Sequence, residues 1–366
     1  MRWVPALVLA FFLNCLLHAM PATAADAFER IAPAQAGYSD EGLKALEQLL
    51  TESGSESMLL LHEGKVFFEW GDIRRKRLVH SIRKPLLHAL VGVELEKGNA
   101  CFNGDSTVAE LGLDERPPGL TAQEKSATLR QLFQSRSGIY HPAAAESEGM
   151  QSQRPARGSH APGEYFYYNN WDFNAVGEVY RRCTGRGIHE AFLADIAAPL
   201  GMLDYQARIY AWTDDSQPPP EVADGFRRLE PEKSRYGAYH FRLSAHDLAL
   251  FGQLYLDHGR WQGRQLLQSQ WLDDSLRPIS MIEPEYGLAY GQLWNVLVPG
   301  PGEERPSFYH TGVGVHMLGV YPRHGLVMVH RVNTEQASDF VDGNLYRIIR
   351  AMHAARLTKH PPRRTL

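Results

Sequence analysis

Ser81-Ile82-Arg83-Lys84 is the stretch whose reading decides the fold. It places a hydroxyl and an amine three positions apart, and on a helix positions i and i+3 share a face. A lysine that has lost its proton can then activate the serine as a nucleophile. Alone the pattern carries little, because serine and lysine are common on solvated helix surfaces. Two later motifs give it weight. One is Tyr168-Asn169-Asn170, inside the aromatic-rich run Tyr165-Phe166-Tyr167-Tyr168-Asn169-Asn170-Trp171, and the other is His310-Thr311-Gly312, which precedes residues of strand character.

Working outward, Ser39-Asp40-Glu41 reads as a helix start, followed by Leu43, Leu46, Leu49 and Leu50 on one face. A hairpin follows, with Glu63-Gly64 as its turn. Behind Ser81, the residues Leu86, Leu87, Leu90, Val91, Val93 and Leu95 predict a packed helix that Gly98 ends. From there to about residue 275 the pattern predicts helices and loops, with Pro218-Pro219-Pro220 as an exposed turn. Strand character returns over residues 286–298, 317–321 and 326–332, and a last helix is expected over 340–357.

The chain starts with Arg2, an apolar run from Val4 to Leu17 interrupted by Asn14, and the small-residue site Ala22-Thr23-Ala24. Residues 1–24 read as a cleavable secretory signal, since the run is shorter than the ~20 apolar residues a membrane span needs. The expected location is therefore periplasmic or secreted, with no membrane span after cleavage. Removing the signal leaves 37 basic against 42 acidic side chains, a formal charge of −5. No basic stripe suits nucleic acid, and 44% hydrophobic with 22% charged residues is ordinary globular composition. Export leaves Cys101 and Cys183, which are too far apart in sequence for a zinc signature and stand either as a disulfide or as two small buried residues.

Taken in order, Ser-x-x-Lys, Tyr-x-Asn and His-Thr-Gly resemble the three signatures of the penicillin-recognising serine hydrolases: serine β-lactamases, D-alanyl-D-alanine peptidases and related esterases. The tyrosine in the second motif is similar to the class C β-lactamase branch. Further landmarks resemble the family: the hairpin of residues 58–68, a helix over 129–139 ending Ser137-Gly138-Ile139, and the helix start Ser244-Ala245-His246-Asp247. The resemblance implies an α+β fold in which an antiparallel sheet, flanked by terminal helices, carries a mainly helical lobe. On this reading one catalytic domain occupies residues 25–357, with a sheet lobe at about 28–80 and 276–357, a helical lobe at about 81–275, and a basic tail over 358–366.

The resemblance implies that Ser81 is the nucleophile, with Lys84 and Tyr168 exchanging its proton; which is the formal base stays open, because coupled groups titrate as a set. Asn170 is expected to donate to a substrate amide carbonyl and to hold Lys84. His310, Thr311 and Gly312 are expected on a strand edge facing substrate, with Gly312 bare so that substrate can approach closely. The oxyanion hole falls to the backbone N–H groups of Ser81 and Val313. No metal or organic cofactor is implied; the partner is a small-molecule or peptide substrate.

Two departures stand out. Pro85 follows Lys84 directly and disfavours helical geometry there unless it falls in the first turn. His310 replaces the usual lysine, and an imidazole is mostly neutral at pH 7. That favours ester or amide substrates over the carboxylate-bearing ones of β-lactamases and D-alanyl-D-alanine carboxypeptidases, which remain the alternative. A binding or sensor protein that keeps the fold without turnover is a further alternative. No Gly-x-Ser-x-Gly elbow, His-Glu-x-x-His helix or phosphate-binding Gly-x-x-x-x-Gly-Lys-Ser/Thr loop occurs.

Overall fold

The computed structural model describes residues 28–212, 219–341 and 343–357. The signal at 1–24, Pro218 and the tail over 358–366 lie outside the described residues. Ser39 caps the first helix, Asp40–Glu52, by accepting from the Gly42 N–H at 3.0 Å. The hairpin joins β1 (Ser57–His62) to β2 (Lys65–Gly71). Its two turn residues, Glu63 and Gly64, have φ of 47° and 78°, as a tight hairpin turn of matching twist requires.

The short β3 (Arg77–Leu78) leads into a 3-10 turn, His80–Ile82, and then the helix Arg83–Glu96. Three strands follow where helices and loops were expected: β4 (Ile209–Trp212), β5 (Gly225–Arg228) and β6 (Ala238–Leu243). With β3 they form a four-stranded sheet of order β3-β6-β5-β4. Strand β6 hid from periodicity because it is buried along its whole length and carries His240 and Arg242 inside. A small hairpin, β7 (Arg260–Trp261) and β8 (Arg264–Gln265), precedes the last strands of the main sheet. These are β9 (Ser280–Glu283), β10 (Leu288–Tyr290), β11 (Asn295–Leu297), β12 (Ser307–Gly312), β13 (His316–Tyr321) and β14 (Leu326–Arg331).

The main sheet is antiparallel, in the order β2-β1-β14-β13-β12-β11-β10-β9, so the two ends of the chain meet where β1 pairs β14. Both faces of that centre are covered, which explains the continuous apolar run in β1. Met58 and Leu60 pack with Leu46, Leu50, Ile348 and Met352 of the terminal helices, while Leu59 and Leu61 join Leu248 and Phe251 on the opposite face. The helix Ala245–Leu256 packs on β13 and β14, and Ser244 caps it as its sequence suggested.

Two helices are shorter than expected. The segment 129–139 is helical only over Leu129–Phe133, because Ser135 and Gly138 turn the backbone to φ of 56° and 69°. The last helix runs Asn344–Ala354 rather than 340–357. Within the described residues no helix is long and apolar enough to cross a membrane.

Candidate active site

Ser81 sits in the 3-10 turn and Lys84 in the first turn of the helix Arg83–Glu96, so Pro85 falls where a helix N–H has no partner to lose. The i, i+3 spacing holds: Lys84 Nζ and Ser81 Oγ share a hydrogen bond of 2.9 Å. The amine is 1% exposed and lies 4.6 and 4.7 Å from the ring centres of Tyr168 and Phe173. Burial, with the adjacent Arg83 charge, drives its pKa well below the ordinary lysine value. The arrangement therefore sets an amine of depressed pKa against a serine hydroxyl.

The second motif is positioned by its cap. Asn169 accepts from the Trp171 N–H at 3.0 Å and opens the helix Asn170–Thr184, while its amide donates to the Ile139 carbonyl at 2.7 Å. Ser135 bonds Tyr167 O at 2.7 Å and accepts from Asn169 N–H at 2.9 Å, so the loop after Phe133 clamps Tyr168 from both sides. Asp172, fully buried, accepts from Ser137 Oγ at 2.6 Å, which gives the Ser-Gly-Ile turn its role as an anchor for this helix. Burial raises the Tyr168 phenol above its ordinary pKa, and the Ser81 hydroxyl bound to it offsets this in part. Tyr168 is thus a protonated phenol beside Ser81.

Asn170 departs from expectation. Its amide donates to the Ala145 carbonyl at 2.5 Å and its oxygen faces Arg83 Nη2 at 3.5 Å; no bond joins it to Lys84. Lys84 is held instead by its hydrophobic walls and by Ser81.

The third motif lies on β12, an interior strand whose partner β11 ends at the Asn295–Tyr309 pair. His310, Thr311 and Gly312 pair only with β13, so this strand end is an open edge turned toward the Ser81 segment. His310 Nδ1 donates to the Thr311 carbonyl at 2.9 Å, which leaves Nε2 as an acceptor 3.4 Å from the Tyr168 hydroxyl. Burial, reinforced by Lys84, pushes the imidazole down to about 3, so it is neutral. Gly312 is bare for a different reason than substrate access: a Cβ there would stand 2.5 Å from the Val79 carbonyl and 3.2 Å from His80 Cβ. Val313, at the mouth of the site, is 56% exposed and has φ of 47°, a conformation rare for a β-branched residue and a mark of an imposed geometry.

Several participants gave no sequence signal. His80, directly before Ser81, has φ of 47° and meets Thr334 Oγ1 through Nε2 at 2.8 Å. His316 reaches the same hydroxyl at 3.1 Å and accepts from Val332 N–H at 3.3 Å. His316 Nε2 therefore carries the proton and Thr334 donates onward to His80, which ties the Ser81 turn to β13 and the segment after β14. Burial keeps His80 down at about 4 and therefore neutral. Far from the site, Cys101 and Cys183 form a disulfide with Cα atoms 5.7 Å apart.

Ser81, Lys84, Tyr168, Asn170, His310, Thr311 and Val313 all line one cleft of about 2170 Å³, with Met150, Tyr165 and Phe166 among its apolar walls. The arrangement can deliver a serine oxygen to a carbonyl carbon, with an amine to take the proton and a phenol to return it.

The chain resembles several solved structures. A putative 6-aminohexanoate-dimer hydrolase from Bacillus anthracis aligns at 18% identity and TM-score 0.63, over 89% of this chain and 86% of that one. A penicillin-binding protein homolog from Caulobacter crescentus aligns at 17% and 0.59, over 87% and 99%. EstCE1, a hydrolase with promiscuous acyltransferase activity, aligns at 16% and 0.58, over 87% and 98%. No curated protein matches the chain. At such identities these likenesses speak for the fold alone, but the family profile described as Beta-lactamase matches residues 62–352, which takes in Ser81 and its helix, the tyrosine motif and the strand edge opposite them. The chain belongs to the beta-lactamase family.

Proposed function

We propose that the protein is a serine hydrolase that cleaves an ester or amide through an acyl-enzyme on Ser81. One observation carries the reading: a buried Lys84 amine, low in pKa, 2.9 Å from the Ser81 hydroxyl. The amine takes the serine proton as Oγ attacks the carbonyl carbon. The oxyanion that forms is stabilised by the backbone N–H groups of Ser81 and Val313. Tyr168, a phenol of raised pKa, gives a proton to the departing alcohol or amine and directs its own O–H to His310 Nε2 between steps. Lys84 is thereby the base and Tyr168 the acid. Water then cleaves the acyl-enzyme by the reverse path.

The neutral His310 favours substrates without a carboxylate on the β12 side, hence esters and amides over penicillins. The match to the Beta-lactamase family profile keeps D-alanyl-D-alanine carboxypeptidase or β-lactamase activity as the alternative. Export is part of the proposal, on the strength of the signal-like residues 1–24 and of the Cys101–Cys183 disulfide, which suits an oxidising compartment.

A fluorophosphonate probe is expected to label the protein, and peptide mapping to put the adduct on Ser81. Labelling that survives Ser81→Ala unchanged would overturn the mechanism. A panel of short-chain esters, linear amides, a chromogenic cephalosporin and D-alanyl-D-alanine peptides ranks the substrate classes. Acylation without product release would point to a sensor.

A further inference from the structure

Thr334, in the turn after β14, holds two imidazoles with one hydroxyl. Its Oγ1 lies 2.8 Å from His80 Nε2 and 3.1 Å from His316 Nε2. Because His316 Nδ1 accepts from the Val332 N–H, Thr334 accepts from His316 and donates to His80. The two imidazoles stack with ring centres 5.4 Å apart. Gly312 lies against both of these residues: a Cβ there would stand 3.2 Å from His316 Cδ2 and 3.2 Å from His80 Cβ.

Each histidine neighbours one of the two oxyanion donors. His80 directly precedes Ser81, and His316 opens β13 opposite Gly312, which directly precedes Val313. Both stretches carry a non-glycine residue at positive φ, His80 and Val313, each at 47°. Such a backbone persists only where surrounding contacts over-determine it, so loosening those contacts re-aims the N–H groups beside it. Glu335, the next residue, holds the same turn independently. Its Oε2 accepts from the Leu78 N–H at 3.1 Å and its Oε1 from Arg242 Nε at 2.7 Å. Loss of the Thr334 hydroxyl therefore leaves the turn docked and frees the two imidazoles.

We infer that Thr334 is a positioning residue for the reaction: its hydroxyl, held between His316 and His80, fixes the spacing and aim of the Ser81 and Val313 N–H groups that receive the oxyanion. This rests on the hydrolase reading and deepens it, since it gives the turn after β14 a part in building the oxyanion hole. Thr334 acts through its two imidazole partners, so its effect falls on the tetrahedral state, where the donors must be aligned, and spares ground-state binding.

The test measures kcat and KM for 4-nitrophenyl butyrate, and the rate of fluorophosphonate labelling at Ser81, on the native protein, Thr334→Val and Thr334→Ser. Valine nearly matches threonine in shape and lacks the hydroxyl; serine keeps it. The kcat of Thr334→Val is expected to fall about tenfold or more, less than the 10²–10³ of losing a donor outright, because both N–H groups remain but are misaimed. Labelling is expected to slow with it, while KM stays within about twofold and Thr334→Ser keeps kcat within about threefold of native. Near-native kcat in folded Thr334→Val overturns the inference and leaves the hydrolase standing. A loss carried by KM, or one that Thr334→Ser shares, overturns it equally and makes Thr334 a packing residue. A native protein that neither turns over ester nor takes the label overturns the hydrolase reading, and the positioning role falls with it. If Thr334→Val does not fold, Thr334→Ala, which removes the hydroxyl without setting a methyl against the imidazoles, decides on the same measurements.

Discussion

Replacing Lys84 by methionine tests the centre of the site, because it keeps the side-chain volume while removing the amine. Lys84 has no acidic partner, and its pKa in the fold lies well below the ordinary 10.5. At any pH between the folded value and 10.5 the unfolded chain therefore carries a proton that the folded chain does not, and this destabilises the native state. The sign follows from linkage: stability rises with pH wherever the unfolded state binds more protons. For one such group the slope is about 1.4 kcal/mol per pH unit, from the folded pKa up to about 10.5, where the penalty vanishes. Lys84→Met lacks this term. The stability of native protein minus that of Lys84→Met should accordingly climb by about 1.4 kcal/mol per unit between about pH 7.5 and 9.5. Urea unfolding followed by tryptophan fluorescence at several pH values measures it. Over the same range kcat of Lys84→Met should fall by at least about 10², the lower end of what a positioned base supplies. A flat stability difference would mean that Lys84 is charged in the fold and cannot be the resting base, whatever the activity loss.

Tyr168→Phe removes the proton donor while preserving the ring over Lys84, so it should cut kcat by at least about 10² with little change in unfolding midpoint; near-native turnover would exclude Tyr168 as the acid. His310→Lys brings a cation to the open end of β12 and should shift kcat/KM toward a carboxylate-bearing β-lactam, relative to a simple ester, by about 1–2 kcal/mol. An unchanged ratio would reduce His310 to a packing residue. Cys101→Ser opens a loop spanning 82 positions and should lower stability by about 4 kcal/mol on the chain-entropy model, measured by denaturant unfolding against the disulfide-bonded native protein. Because the disulfide is remote from Ser81, folded Cys101→Ser should keep its kcat.

What the sequence by itself determined follows from local rules. The i, i+3 spacing of Ser81 and Lys84, the positive-φ turn at Glu63-Gly64, and the caps Ser39 and Ser244 each depend on neighbours a few residues away, and all of them stand in the fold. Pro85 belongs with them once the helix start is known, since the first turn has no N–H to lose. Tertiary structure decided whatever depends on what lies across space. Strand β6 was invisible because burial on both faces erases alternation, and its inward His240 and Arg242 read as polar. The reason Gly312 is bare is the Val79 carbonyl, and Asn170 turns to Ala145 and Arg83 instead of Lys84. Above all, the charge states in the cleft are products of burial: a composition holds sixteen histidines and a Ser-x-x-Lys, but only packing makes His310 neutral and drives the Lys84 pKa well below its ordinary value.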